Sequence, residues 1–122
     1  DMAMPHKFMT ANGDEVLPVN GGPYFTEEMS ADWMRGAVYV EFFSDAAGLV
    51  PVSPTAGDVI AEASPMGNLF MASGNVSKIL AVNAGSPPMY EPPVFDGCAI
   101  KGKLTFSGIT GAATCRAIFW RS

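Results

Sequence analysis

The sequence predicts an all-β protein, an antiparallel β-sandwich or jelly-roll with an N-terminal hairpin arm. Three observations carry this. Several segments alternate apolar and polar residues with a period of two, the mark of a strand with one buried face. The chain of 122 residues holds 13 Gly and 10 Pro, which interrupt it too often for long helices. The apolar runs left between them, about eight in number, recur at roughly ten-residue intervals, as in sandwiches and barrels.

The arm is expected over 1–22 and the sandwich domain over 23–122. In the arm, HKFMT and EVLPV flank Ala11-Asn12-Gly13-Asp14. Asn-Gly is a strong hairpin signal, because both central positions of the turn take positive φ. Pro18 ends the second side of this hairpin, and NGGPY breaks the chain after it. Residues 26–34 suit either a short helix capped by Thr26, with Met29 and Trp33 on one face, or an irregular loop.

Residues 37–43 form the clearest strand, with Val38, Val40 and Phe42 pointing one way and Ala37, Tyr39, Glu41 and Phe43 the other. Shorter strands are expected at 49–52, 58–63, 69–72 and 76–82, with a turn at Ser73-Gly74-Asn75. Two Pro-Pro pairs hold 83–97 as a long extended loop. CAIKGKLTF and ATCRAIFW are expected to close the chain as a hairpin around SGITG. Its apolar face takes Cys98, Ile100, Gly102, Leu104 and Phe106 with Ala113, Cys115, Ala117 and Phe119. Its other face takes Lys101, Lys103 and Thr105 with Thr114, Arg116, Ile118 and Trp120, and sets Lys103 opposite Arg116.

Net charge is −5, which argues against a nonspecific nucleic-acid binder. The charge is uneven: residues 1–45 carry eight acids against Lys7 and Arg35, whereas 98–122 carry Lys101, Lys103, Arg116 and Arg121 and no acid. The opening DMAMPHKF lacks the apolar core of a signal peptide, and no apolar run is long enough to span a membrane. The expectation is a chain made in a reducing cytoplasm. Two cysteines are too few for a disulfide scaffold. In the proposed hairpin Cys98 and Cys115 stand about 20 Å apart along the strands, so both are expected as free thiols in the core.

Catalytic chemistry has little to work with. His6 is the single histidine, in the arm and without a neighbouring nucleophile. One His and two separated Cys do not make a zinc site. Glu27-Glu28 and Asp96 read as solvated loop acids rather than a glycosidase pair. No phosphate-binding loop or calcium loop is present, so no cofactor is expected.

Binding surfaces are better represented. Lys103 opposite Arg116 is a like-charge pair that an acid from Glu41 or from another chain would relieve. Ile118 and Trp120 share that face, a composition enriched at interfaces. The arm, rich in Met and carrying Phe8, Met9 and Leu17, has too small a core to stand alone and must dock on its own domain or a neighbour. The expected interface is therefore Lys101, Lys103, Arg116, Ile118 and Trp120, with Phe8, Met9 and Leu17 from the arm.

VEFFSDAAGLVPVSPTAG, followed by FDGCAIKGKLTFSGITGAATCRAIFWRS, resembles small β-sandwich proteins and fibre-associated domains of tailed bacteriophage particles. The matching stretches are Val40 to Ala46, Pro51 to Gly57, Phe95-Asp96-Gly97, Phe106 to Gly111 and Arg116 to Arg121; the first 35 residues lie outside them. The resemblance implies a virion component, often a homotrimer, with no catalytic residues. The expected function is non-enzymatic: a capsid cement or decoration protein made in the host cytoplasm. Its partners would be itself and the major capsid or another particle protein, with neither nucleic acid nor membrane. The alternative is a receptor- or glycan-binding fibre domain of a phage tail, using Tyr24, Trp33, Tyr39, Tyr90 and Trp120 to stack on sugar.

Overall fold

Alternation of Val38, Val40 and Phe42 with Tyr39 and Glu41 produces the longest strand of the fold. It runs over Trp33–Phe43 in the computed structural model, which describes residues 4–29, 33–68, 70–79, 89–90 and 95–121. In chain order the strands are Met4–Met9 (β1), Leu17–Pro18 (β2), Tyr24–Thr26 (β3), Trp33–Phe43 (β4), Ala56–Ser64 (β5), Met71–Ile79 (β6), Met89–Tyr90 (β7), Phe95–Cys98 (β8), Lys101–Thr110 (β9) and Thr114–Arg121 (β10). The described residues contain no helix, so the protein is all-β as its sequence predicts. Thr26 caps no helix: its Oγ1 accepts a hydrogen bond from Gly102 N at 2.9 Å.

All pairs are antiparallel, and they join into one ladder in the order β6-β5-β9-β3-β1-β10-β4-β7, with β2 also on β10 and β8 also on β4. The link between its halves is β1. Met4 to Lys7 pair with β10, and Phe8 and Met9 then pair with Thr26 and Phe25 of β3. Inward side chains of the two halves share one core: Val38, Val40, Phe42, Cys115, Ala117 and Phe119 from one, Val59, Ala61, Ala63 and Leu104 from the other. Phe42 and Phe106 meet across it with ring centroids 6.2 Å apart.

The segment expected as a separate arm is thus built into the ladder. Phe8 and Leu17 are fully buried, which removes both from any interface with another molecule. The Asn-Gly turn does form: Gly13 has φ +87°, Thr10 N donates to Asp14 O at 2.9 Å, and Lys7 and Glu15 pair across it at 2.9 Å. It does not produce a hairpin. β1 and β2 run in the same direction along one edge of β10, and the turn is an excursion between them.

The closing hairpin is also absent. β9 pairs with β5 on one edge, from Ala56↔Thr110 to Ser64↔Lys101, and with β3 on the other. The edges of β10 are taken by β4 on one side, from Thr114↔Phe43 to Arg121↔Gly36, and by β1 and β2 on the other, so β10 lies in the opposite half from β9. The apolar faces of β9 and β10 meet across the core instead of lying side by side. The expected strand CAIKGKLTF is divided likewise: Phe95–Cys98 pairs with β4, and the chain changes halves at Ala99 and Ile100. Trp33 and Phe42, the β4 partners of Cys98 and Cys115, are nine positions apart, or about 30 Å along the strand, too far for a disulfide. Cys115 is a free, buried thiol.

Two further turn signals are absorbed. Ser73 to Val76 of β6 stand against Ala61 alone, so Ser73-Gly74-Asn75 bulges within one strand rather than separating two. LVPV makes only a bridge, Phe43↔Pro51, at the end of a loop. The extended loop expected at 83–97 contributes β7 and most of β8; its remaining residues lie outside those described.

The closeness of the two halves rests on glycine. A Cβ on Gly36 would lie 2.6 Å from Phe119 Cζ, and one on Gly102 would lie 3.0 Å from Phe119 Cδ2 and 3.3 Å from Phe8 Cζ. Phe119 is 1% exposed and cannot swing out to make room. Gly36→Ala should therefore destabilise the protein by about 1–3 kcal/mol through overpacking, read as a lower urea midpoint. Combining it with Phe119→Leu should cost less than the sum of the two single changes, and simple additivity would refute this seat.

Candidate functional site

The ladder has two outer surfaces, one on each half, and the expected interface residues divide between them. Lys101 and Lys103 belong to β9 on one side; Arg116, Ile118 and Trp120 belong to β10 on the other. Lys103 does not oppose Arg116. Its register partners are Phe25 and Glu62, and that of Arg116 is Glu41.

On the β9 side the bases lie over aromatic rings. Lys101 Nζ is 5.3 Å from the centroid of Phe25, and Lys103 Nζ is 5.4 Å from that of Phe70. The two rings are 5.6 Å apart. Glu62 Oε1 stands 4.0 Å from Lys103 Nζ, so the acid that Lys103 needs comes from its own sheet neighbour. Met9, paired with Phe25 in the ladder, is half-buried.

On the β10 side an open groove of about 380 Å³ is lined by Tyr39, Val40, Glu41, Arg116, Ala117, Ile118 and Trp120. Tyr39 and Trp120 are each 36% exposed and meet edge to face, centroids 6.4 Å apart at 73°. Arg116 faces Glu41 in register but turns elsewhere: Nη1 donates to Gly48 O at 2.8 Å, and the guanidinium lies 5.1 Å from the Phe43 centroid. Among the described residues no cation pairs with Glu41. Next to the groove, Asp45 accepts hydrogen bonds from Leu49 N and Val50 N, both at 2.9 Å, which hold its carboxyl below the ordinary range. The loop so pinned presents Leu49 and Val50 to solvent, 75% and 53% exposed.

Of the aromatics suggested for sugar stacking, Tyr39 and Trp120 come together at this groove. Tyr24 does not: it is buried, and its hydroxyl donates to Pro18 O. Trp33 and Tyr90 occupy ladder positions opposite Cys98 and Tyr39. Phe25 and Phe70 gave no sequence signal, because they reach the lysines from separate elements. The groove was half legible, since the alternation of 37–43 and 114–121 sends Tyr39, Arg116, Ile118 and Trp120 outward.

No metal-binding group of three or more His, Cys, Asp or Glu occurs among the described residues, and no described helix is long and apolar enough to cross a membrane. Burial pushes the Cys115 thiol up to about 12, leaving it protonated and unreactive at neutral pH. No family model matches the chain, and no curated protein or solved structure is detectably similar to it.

His6 stands in β1 opposite Phe119, with Nε2 buried and without a hydrogen-bond partner. Desolvation, then the charge of Arg121, lowers its pKa below 6.5, with Glu27 opposing. The unfolded chain therefore takes up this proton before the folded one. The contribution of His6 is present above pH 6.5 and is lost as pH falls from there toward the depressed folded value. Urea unfolding at about pH 7.5 and about pH 5.5 should show a larger loss of stability on acidification in the parent than in His6→Gln. Equal losses would place the sensitivity elsewhere.

Proposed function

We propose that this chain is a non-enzymatic structural component of a virus particle, a capsid cement or decoration protein that self-associates and binds a particle protein. The observation supporting this is the division of base and aromatic residues over both outer surfaces. A cement must touch two neighbours at once, and a single adhesive face cannot do that. Here Trp120, Ile118 and Arg116 with Tyr39 occupy one side, and Lys101 and Lys103 over Phe25 and Phe70 occupy the other. Aromatic side chains and arginine are the types enriched where proteins bind proteins. The resemblance of the sequence from residue 38 onward to small structural proteins of tailed phages points the same way. A receptor- or glycan-binding fibre domain is the second reading, favoured by the exposed Tyr39–Trp120 pair.

Co-sedimentation with intact particles separates the readings. Trp120→Ala on one surface, and Lys101→Glu with Lys103→Glu on the other, should each lower retention by at least about ten-fold while the chain stays folded. Retention equal to the parent in both variants refutes the two-surface reading. Binding of the parent to host cells but not to particles favours the fibre domain.

A further inference from the structure

The outer face of β4 and β10 complements itself row by row. The register sets Glu41 beside Arg116, Tyr39 beside Ile118, and Ala37 beside Trp120. Each row couples unlike partners: an acid with a base, an aromatic ring with an aliphatic chain, a small side chain with a large one. We infer that this face is the contact between two copies of the chain, related by a two-fold axis running along the strands midway between β4 and β10. The inference rests on reading this face as an interface.

The geometry follows from the operator. A two-fold axis in that position lays β4 of one copy over β10 of the other. Glu41 then meets Arg116 of the second copy, Tyr39 meets Ile118, and the space over Ala37 receives Trp120. Sheets packed face to face stay within about 30° of alignment, so successive rows can meet together. An isologous contact also makes every interaction occur twice.

The charges give the second argument. Glu41 and Arg116 are direct neighbours in the ladder, and in one copy they do not pair. Arg116 spends its contacts on Gly48 O and the Phe43 ring, and Glu41 lies half-buried in the groove. In the two-fold contact the guanidinium of Arg116 from the second copy turns from Gly48 O toward this carboxylate, so each copy supplies the cation for the other's Glu41. The groove alone is smaller than the roughly 800 Å² per partner of a standard interface. Exposed Pro5 and Lys7, on the strand flanking β10, widen the contact.

Sedimentation equilibrium of the purified chain over a wide concentration range, with no particle present, tests this separately from particle binding. The parent should dimerise. Glu41→Arg and Arg116→Glu should each weaken association by at least about ten-fold, because each sets like charges against one another. An equimolar mixture of these two variants should recover parental association, since every charge contact in the mixed dimer is opposite in sign. Trp120→Ala leaves the Gly48 contact intact and should weaken association on its own, which guards against loop damage in Arg116→Glu. A parent that is monomeric at every concentration overturns the inference, as does a trimer as its sole oligomer. So does a mixture that associates no better than its components, or a Trp120→Ala chain that associates like the parent.

Discussion

The architecture depends on the seat of Phe119. Its ring comes from β10, in one half of the ladder, and lies against Gly36 of its neighbour β4 and Gly102 of β9 in the opposite half. Sheets face one another at about 10 Å when side chains interdigitate between them. Here a large ring fills the space that two missing side chains leave open. Phe8 touches the same point from β1, the strand that belongs to both halves. The bend in the ladder and the closure of the core are therefore fixed by one cluster, in which bulk on one element is matched by its absence on two others.

The two outer surfaces are finished differently. On the β9 side the ammonium groups of Lys101 and Lys103 lie over the rings of Phe25 and Phe70. Each such contact stabilises by about 0.5–1 kcal/mol at a partly exposed site. The ion pair of Lys103 with Glu62, at 4.0 Å and partly solvated, adds less. On the β10 side the one cation in the groove is drawn away to Gly48 and Phe43, and the indole of Trp120 is left in contact with water. A face that covers its own aromatics and a face that does not are unlike partners for anything that binds them.

Period-two alternation told which side chains turn inward, and it did so for Val38, Val40, Phe42, Leu104, Cys115, Ala117 and Phe119. It carried no information about which strands are neighbours. Two strands with matching apolar faces satisfy the pattern equally well side by side in a hairpin or facing one another across a core. The choice for β9 and β10 was made by distant segments: β5 runs along β9, and β4 with β1 and β2 takes both edges of β10. Hence the outward direction of Arg116, Ile118 and Trp120 was legible, and their separation from Lys101 and Lys103 was not. Local turn chemistry behaved in the same way. Asn12-Gly13 makes the turn its residues demand, but where the chain goes next was set by the pairing of Phe8 with Thr26 and of Leu17 with Cys115.

Met4 stands opposite Arg121 in the ladder, so the strand that joins the two halves completes its hydrogen bonds against the last strand described. Contacts that span so much of a chain form slowly, since a long loop must close before any of them is rewarded. During synthesis β1 emerges before β10 and waits for it. Through that interval it is a bare edge carrying Phe8, a hydrophobic side chain that the finished fold hides completely. Between the emergence of β1 and that of β10 a nascent chain of this topology is exposed to mispairing, and its dependence on holding factors would be greatest just before β10 appears.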